Sequence, residues 1–171
     1  VIGLVHVGTP AGVMFYNLPK GDGTLTTDDK AAILRKASDG SLDNLYGTIT
    51  GKVTSGRAST FGTEVGGAMV IATNVSSRQS VSAYTDRMGN FELSYLPVGN
   101  YELGLFALDG SVFASKIPLT PGRISRTLDT IANERDFLEE YWNGVNESED
   151  DDRSEKVIIA VANGAPFTAN F

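Results

Sequence analysis

Apolar and polar positions alternate in short runs through the middle of this 171-residue chain. "NFELSYL" puts Phe91, Leu93 and Tyr95 on one strand face and Glu92 and Ser94 on the other. "NYELGLFALDG" repeats the phase with Tyr101, Leu103 and Leu105. A period of two is what a half-buried strand requires. "YGTITGKVTSG", "GAMVIATN", "SVSAYTD" and "SVFASKIPL" are further runs rich in Val, Ile, Tyr, Phe and Thr, punctuated by Gly, Pro, Asn or Asp. Many short strands with no helical pattern between them predict a mainly β fold, an antiparallel β-sandwich from residue 46 to about 130.

The flanks read differently. Residues 1–45 hold an apolar, β-prone start, "VIGLVHV", then a Gly/Pro-rich stretch and one helix, "TLTTDDKAAILRKASDG". Thr26 with Asp29 three residues later resembles a capping box, and Asp28 and Asp29 suit the positive end of the helix dipole. Lys36 falls in the last turn, and Gly40 is the expected stop. In residues 131–171, "NERDFLEEYWNG" reads as a helical turn or a strand. "NESEDDDRSE" is too charged to bury, "KVIIAVANG" is a strand, and "PFTANF" begins another. These terminal strands are expected to pack on the sandwich or on a neighbouring copy.

Charge and composition narrow the functions. A formal net charge of −7 argues against nucleic acid, which needs clustered Lys and Arg. No segment reaches the run of roughly 18 apolar residues that a membrane helix needs. With no cysteine, thiolate catalysis, cysteine zinc sites and disulfides are excluded. Val1 is not an initiator methionine and no charged region precedes the apolar start, so a processed chain, or part of a longer one, is expected.

Candidate chemistry is sparse. No Ser, Thr or Lys stands beside a base in a recognisable nucleophile arrangement. Residues 147–152 are acidic but lack the glycine and ligand spacing of a calcium loop, which favours a solvated linker. Glu139, Glu140, Tyr141 and Trp142 could form a carbohydrate-contacting patch, although an aromatic anchor for the tail is the favoured reading. Asn74 ("NVS") and Asn146 ("NES") fit the glycosylation triplet, with Asn146 the better placed in a polar loop. His6 is the chain's sole histidine; on its chemistry alone it reads as an imidazole on a partly exposed strand.

Two stretches resemble known families. "VIGLVH", "AGVMFY" and "LTTDDKAAI" are similar to the end of a matrixin-type metzincin domain, with His6 as the third zinc ligand, Met14 in the Met-turn and the last helix following. The resemblance implies a parent zinc protease. The H-E-x-x-H segment is absent, so one histidine cannot hold a catalytic zinc, and no cofactor is expected unless that segment precedes Val1. "GKV", "GGAMVIAT" and "TDRMGNFELSYLPVGNYEL" resemble the carboxypeptidase regulatory-like module, which implies a transthyretin/Ig-like sandwich. Such modules bind, space or stabilise, and fold alone does not give activity.

Together these readings point to a non-catalytic structural or adhesive sandwich, secreted or at the cell surface. The alternatives are the C-terminal fragment of a secreted zinc metalloendopeptidase and a carbohydrate- or protein-binding module. The apolar start supplies a further expectation. Val1, Ile2, Leu4, Val5 and Val7 would either dock on the chain's own sandwich or insert into the sheet of an adjacent copy by β-strand addition, building a filament.

Overall fold

The computed structural model describes residues 24–59, 62–106, 140–144 and 156–171. They form two sheets that bury one core, with a helix, α1 (Thr27–Ala37), at their N-terminal side. The first sheet orders β10 (Pro166–Thr168), β1 (Gly47–Lys52) and β6 (Asn90–Leu96). The second orders β5 (Ser80–Tyr84), β4 (Met69–Asn74) and β7 (Gly99–Phe106). Two short strands, β8 (Glu140–Tyr141) and β9 (Ile159–Val161), share the far edge of β7. A small hairpin, β2 (Thr54–Ser59) with β3 (Gly62–Glu64), stands apart from both sheets.

The inner faces follow the predicted alternation over most of their length. Val70, Ala72, Val81, Tyr101, Leu103 and Leu105 of the second sheet meet Ile49, Phe91, Leu93 and Leu96 of the first, all buried. The sandwich strands β1, β4, β5, β6 and β7 pair antiparallel as expected, and the terminal strand β10 adds a parallel pairing to β1, with Ile49 opposite Phe167. The chain reaches that position by crossing from β9 on the second sheet, and parallel neighbours require such a crossover.

That crossing settles the C-terminal end. Ala169 donates to the Thr50 carbonyl, Phe171 donates to that of Lys52, and Thr54 donates to the Phe171 carbonyl. The Phe171 ring is buried 6.3 Å from Phe91. In this structure the segment lies on the chain's own two sheets, β9 on β7 and β10 on β1. Trp142 takes part as the predicted anchor, edge-on to Phe167 at 5.5 Å, with its indole N–H donating to the Asn170 carbonyl.

Helix α1 is capped as expected. The Thr26 hydroxyl accepts from the Asp29 N–H, and the Asp29 carboxylate accepts from the Thr26 N–H at 2.9 Å. Two details differ. The helix ends at Ala37 with an extended Ser38, and Gly40 lies beyond it at φ +89°. Asp28 does more than complement the dipole, because it is buried and its carboxylate accepts from both the Ser82 N–H (2.9 Å) and hydroxyl (2.8 Å). β5 is an edge strand, and Asp28 thereby satisfies an edge N–H that would otherwise template pairing.

The two turns of "TDRMGNFELSYLPVGNYEL" form as the sequence suggests. In the first, Asp86 accepts from the Met88 and Asn90 N–H groups, and Gly89 takes φ +76°. Burial opposes ionisation of Asp86, but donors on Asn90 and Met88 and the charge of Lys52 outweigh it and hold the carboxyl below its ordinary 3.8. A carboxyl lowered by folding stabilises the fold above its ordinary value and loses that contribution as pH falls through the lower, folded one. The Met88 and Asn90 amide shifts are expected to titrate together in NMR with a midpoint below 3.8.

At the second turn the Tyr101 hydroxyl donates to the Pro97 carbonyl at 2.7 Å and accepts from the Asn74 amide. Burial raises its pKa above 10, against the Asn74 hydrogen bond. Tyr101→Phe removes both bonds while keeping the packed ring. A loss of about 1–2 kcal/mol is expected in denaturant unfolding.

Candidate functional site

The alternation in β6 fails at one point, and the failure builds the site. Between Gly47 opposite Leu96 and Ile49 opposite Leu93, β6 carries one residue more than β1. This bulge puts Tyr95 at φ +61°, a left-handed conformation usually left to glycine and costly for a bulky aromatic residue. Tyr95, expected on the face of Phe91 and Leu93, instead borders the outer groove with its ring still partly packed against the core, and Leu96 takes the inward place. Strain of this kind, of order 1–3 kcal/mol, concentrates at functional sites.

The outward Tyr95 ring meets Tyr46 edge-on, with centroids 5.8 Å apart. Its hydroxyl donates to the Asp43 carboxylate at 3.0 Å. The two rings border an open groove of about 440 Å³ on the outer face of the first sheet. Thr48 and Thr50 of β1 and Glu92 and Ser94 of β6 line the groove. Arg35 from the end of α1, and Asp43 and Asn44 from the single 3-10 turn Asp43–Leu45, border it too. Gly164 and Pro166 complete it; Gly164 has φ +64° and donates to the Tyr46 carbonyl.

Ser94 stands out among these groups. Its hydroxyl is buried without a hydrogen-bond partner, the one such side-chain atom among the described residues. A buried hydroxyl left unpaired costs about 1–3 kcal/mol, so the groove holds a polar group in want of a partner.

Of the residues singled out from the sequence, His6, Met14, Asn146 and the Val1, Ile2, Leu4, Val5, Val7 segment lie outside the described residues, as does the acidic run. Asn74 closes β4, as expected of a strand end. Its Oδ1 accepts from the Ser76 and Ser77 N–H groups, and its amide nitrogen abuts Tyr101 and Gly99. That nitrogen has no room for a sugar. Produced in a glycosylating host, the chain is expected to carry glycan at Asn146 and none at Asn74; peptide mapping that finds Asn74 occupied contradicts this placement. Among the described residues no three His, Cys, Asp or Glu side chains converge, and no helix is long and apolar enough to cross a membrane.

The groove itself was missed, although one signal was present. Leu93 and Leu96 are three apart, out of phase for a regular strand, and that break in parity marks the bulge.

The fold is that of a β-sandwich module of the binding or structural kind. Residues 48–131 match the carboxypeptidase regulatory-like domain family, as the "TDRMGNFELSYLPVGNYEL" resemblance implied. No curated protein matches the chain. Solved structures with weak similarity to it include the following two. A putative carbohydrate binding protein from Pseudomonas aeruginosa is 16% identical, covering 40% of this chain and 71% of its own, with a TM-score of 0.28. A leucine-rich repeat protein from Bacteroides thetaiotaomicron is 14% identical over 73% of this chain and 13% of its own, with a TM-score of 0.29. Neither family model nor structure extends the metzincin resemblance of the first 45 residues.

Proposed function

We propose that this chain is a non-catalytic binding module and that the outer face of the β10–β1–β6 sheet is its binding surface. The observation that carries the reading is the Tyr95 bulge. A strand that kept its register would bury Tyr95 and leave a flat polar face. Instead one extra residue turns two tyrosines toward a concave groove with charged and polar walls. Ligand sites are concave, with aromatic walls and a few convergent polar groups, and bulges recur where a side chain must be re-aimed.

The alternative aromatic surface at Tyr141 and Trp142 is spoken for. Tyr141 packs edge-on to Phe106, and Trp142 holds the C-terminal segment through Phe167 and Asn170.

The test is a binding panel of soluble polysaccharides, a hexapeptide library and phospholipid vesicles, run on the wild type, Tyr95→Ala and Trp142→Phe. At least one member is expected to bind the wild type and Trp142→Phe equally and to lose Tyr95→Ala. Binding that ignores Tyr95, or that disappears with Trp142→Phe, places the surface elsewhere.

A further inference from the structure

We infer that the groove takes a neutral saccharide, stacked against the Tyr95 and Tyr46 rings with one sugar hydroxyl on the Ser94 Oγ. The inference rests on the groove being the binding surface and adds the chemistry of what fills it.

Three features of the walls select this class. The first is their doubleness: aromatic rings on one side, hydrogen-bonding side chains on the other. A pyranose has the same two aspects, a C–H face that packs on an aromatic ring and an equator of hydroxyls. The second is the surplus of acceptors. Asp43 and Glu92 are carboxylates, which only accept, and Thr48, Thr50 and Ser94 hydroxyls accept as readily as they donate. Such a wall needs a ligand offering many O–H donors. A sugar supplies one on most ring carbons, whereas an extended peptide supplies one N–H per residue. The third is charge. One guanidinium, Arg35, faces two carboxylates in a chain of net charge −7, which disfavours phosphates, nucleotides and uronic acids.

Ser94 is the independent pointer. Its Oγ is buried and unpartnered in a residue that lines the groove, and a hydroxyl is both donor and acceptor. A sugar O–H is its chemical complement. The strained Tyr95 beside it explains why the hydroxyl is there. The bulge places residues 94 and 95 side by side on the outer face, where a regular strand would separate them.

The experiment is a calorimetric titration of the whole chain with cellohexaose, maltohexaose, xylohexaose and N-acetylated chitohexaose. Oligogalacturonate and the hexapeptide library serve as the other arms. At least one neutral hexasaccharide is expected to bind, with Tyr95→Ala weakening it at least tenfold and Ser94→Ala about fivefold. Trp142→Phe should leave the affinity unchanged. Circular dichroism shows that each variant is folded, and Ser94→Ala should be at least as stable as the wild type, because it deletes an unpaired buried hydroxyl.

Peptide binding that is lost in Tyr95→Ala, with no neutral saccharide bound, overturns the saccharide class and leaves the groove as the binding surface. Binding of no arm at the groove overturns both. Oligogalacturonate binding more tightly than every neutral hexasaccharide contradicts the charge argument and with it the proposal. If Ser94→Ala binds as tightly as the wild type, the Ser94 pocket takes water only and the proposed contact is wrong.

Discussion

Tyr95→Gly is expected to leave the fold standing while emptying the groove of its function. Two effects on stability oppose each other. Glycine adopts φ +61° freely, which relieves a left-handed tyrosine of about 1–2 kcal/mol. The substitution also removes the edge contact with Tyr46 and the hydrogen bond to Asp43, each worth about 1 kcal/mol at a half-exposed position. Loss of the ring's partial packing on the core and the backbone freedom of glycine add to the cost, so a net loss of about 1–2 kcal/mol is expected by denaturant unfolding. A core tyrosine behaves otherwise, because truncating a large buried ring costs about 3–5 kcal/mol. Unfolding thus separates the two placements: a loss above about 3 kcal/mol returns Tyr95 to the core, where simple alternation puts it. Ligand binding should fall at least tenfold in the same protein, the equivalent of about 1.4 kcal/mol of lost contact.

Asp28→Ala carries the largest expected cost to stability. The carboxylate accepts from the Ser82 N–H and from its hydroxyl, and all of these groups are buried. Alanine removes the acceptor of two hydrogen bonds in a place that water reaches poorly. Two lost charge-assisted bonds at a buried site set the loss at about 3 kcal/mol, and for a chain of this size that lowers the melting temperature by about 10 °C. A second effect should accompany it. Without the Asp28 carboxylate over it, the edge of β5 is less protected, so the variant is expected to associate at high concentration, measured by light scattering. Asp28→Asn keeps one acceptor and should fall between the two. A melting temperature unchanged in Asp28→Ala would show that α1 is held to the sheet by other contacts.

These variants also mark what the sequence made legible. The capping box of α1 could be read because Thr26 and Asp29 lie three apart, and a local motif needs no tertiary context. The sandwich core could be read because Val70, Ala72, Leu103 and Leu105 keep strict parity on strands covered on that face. Asp28 was read only as a dipole partner, since nothing in local spacing announces a hydrogen bond to a residue 54 positions away. Tyr95 was assigned to the wrong face for a different reason. Counting alternate residues rewards an aromatic at the third position, and a bulge costs that count a single step, after which every side chain changes face.

The groove was hidden for a third reason. Arg35, Tyr46, Ser94 and Pro166 come from a helix end, a strand entry, a bulge and a parallel edge strand. They become neighbours only after β10 crosses back to β1. The C-terminal segment shows the converse. Its apolar pattern announced that it needed a partner, and in this structure Phe171 lies beside Phe91.

The account turns on where ligand touches the sandwich, and an amide shift map by ¹⁵N NMR reads this directly. The chain is titrated with the tightest-binding member of the hexasaccharide panel. The predicted result is a contiguous set of shifts at Asn44, Tyr46, Thr48, Thr50, Ser94 and Tyr95, with Glu140–Asn143 and the β4–β5 turn at Val75–Ser77 unmoved. Shifts centred on Tyr141 and Trp142, or scattered along the second sheet with Ser94 and Tyr95 silent, would contradict it.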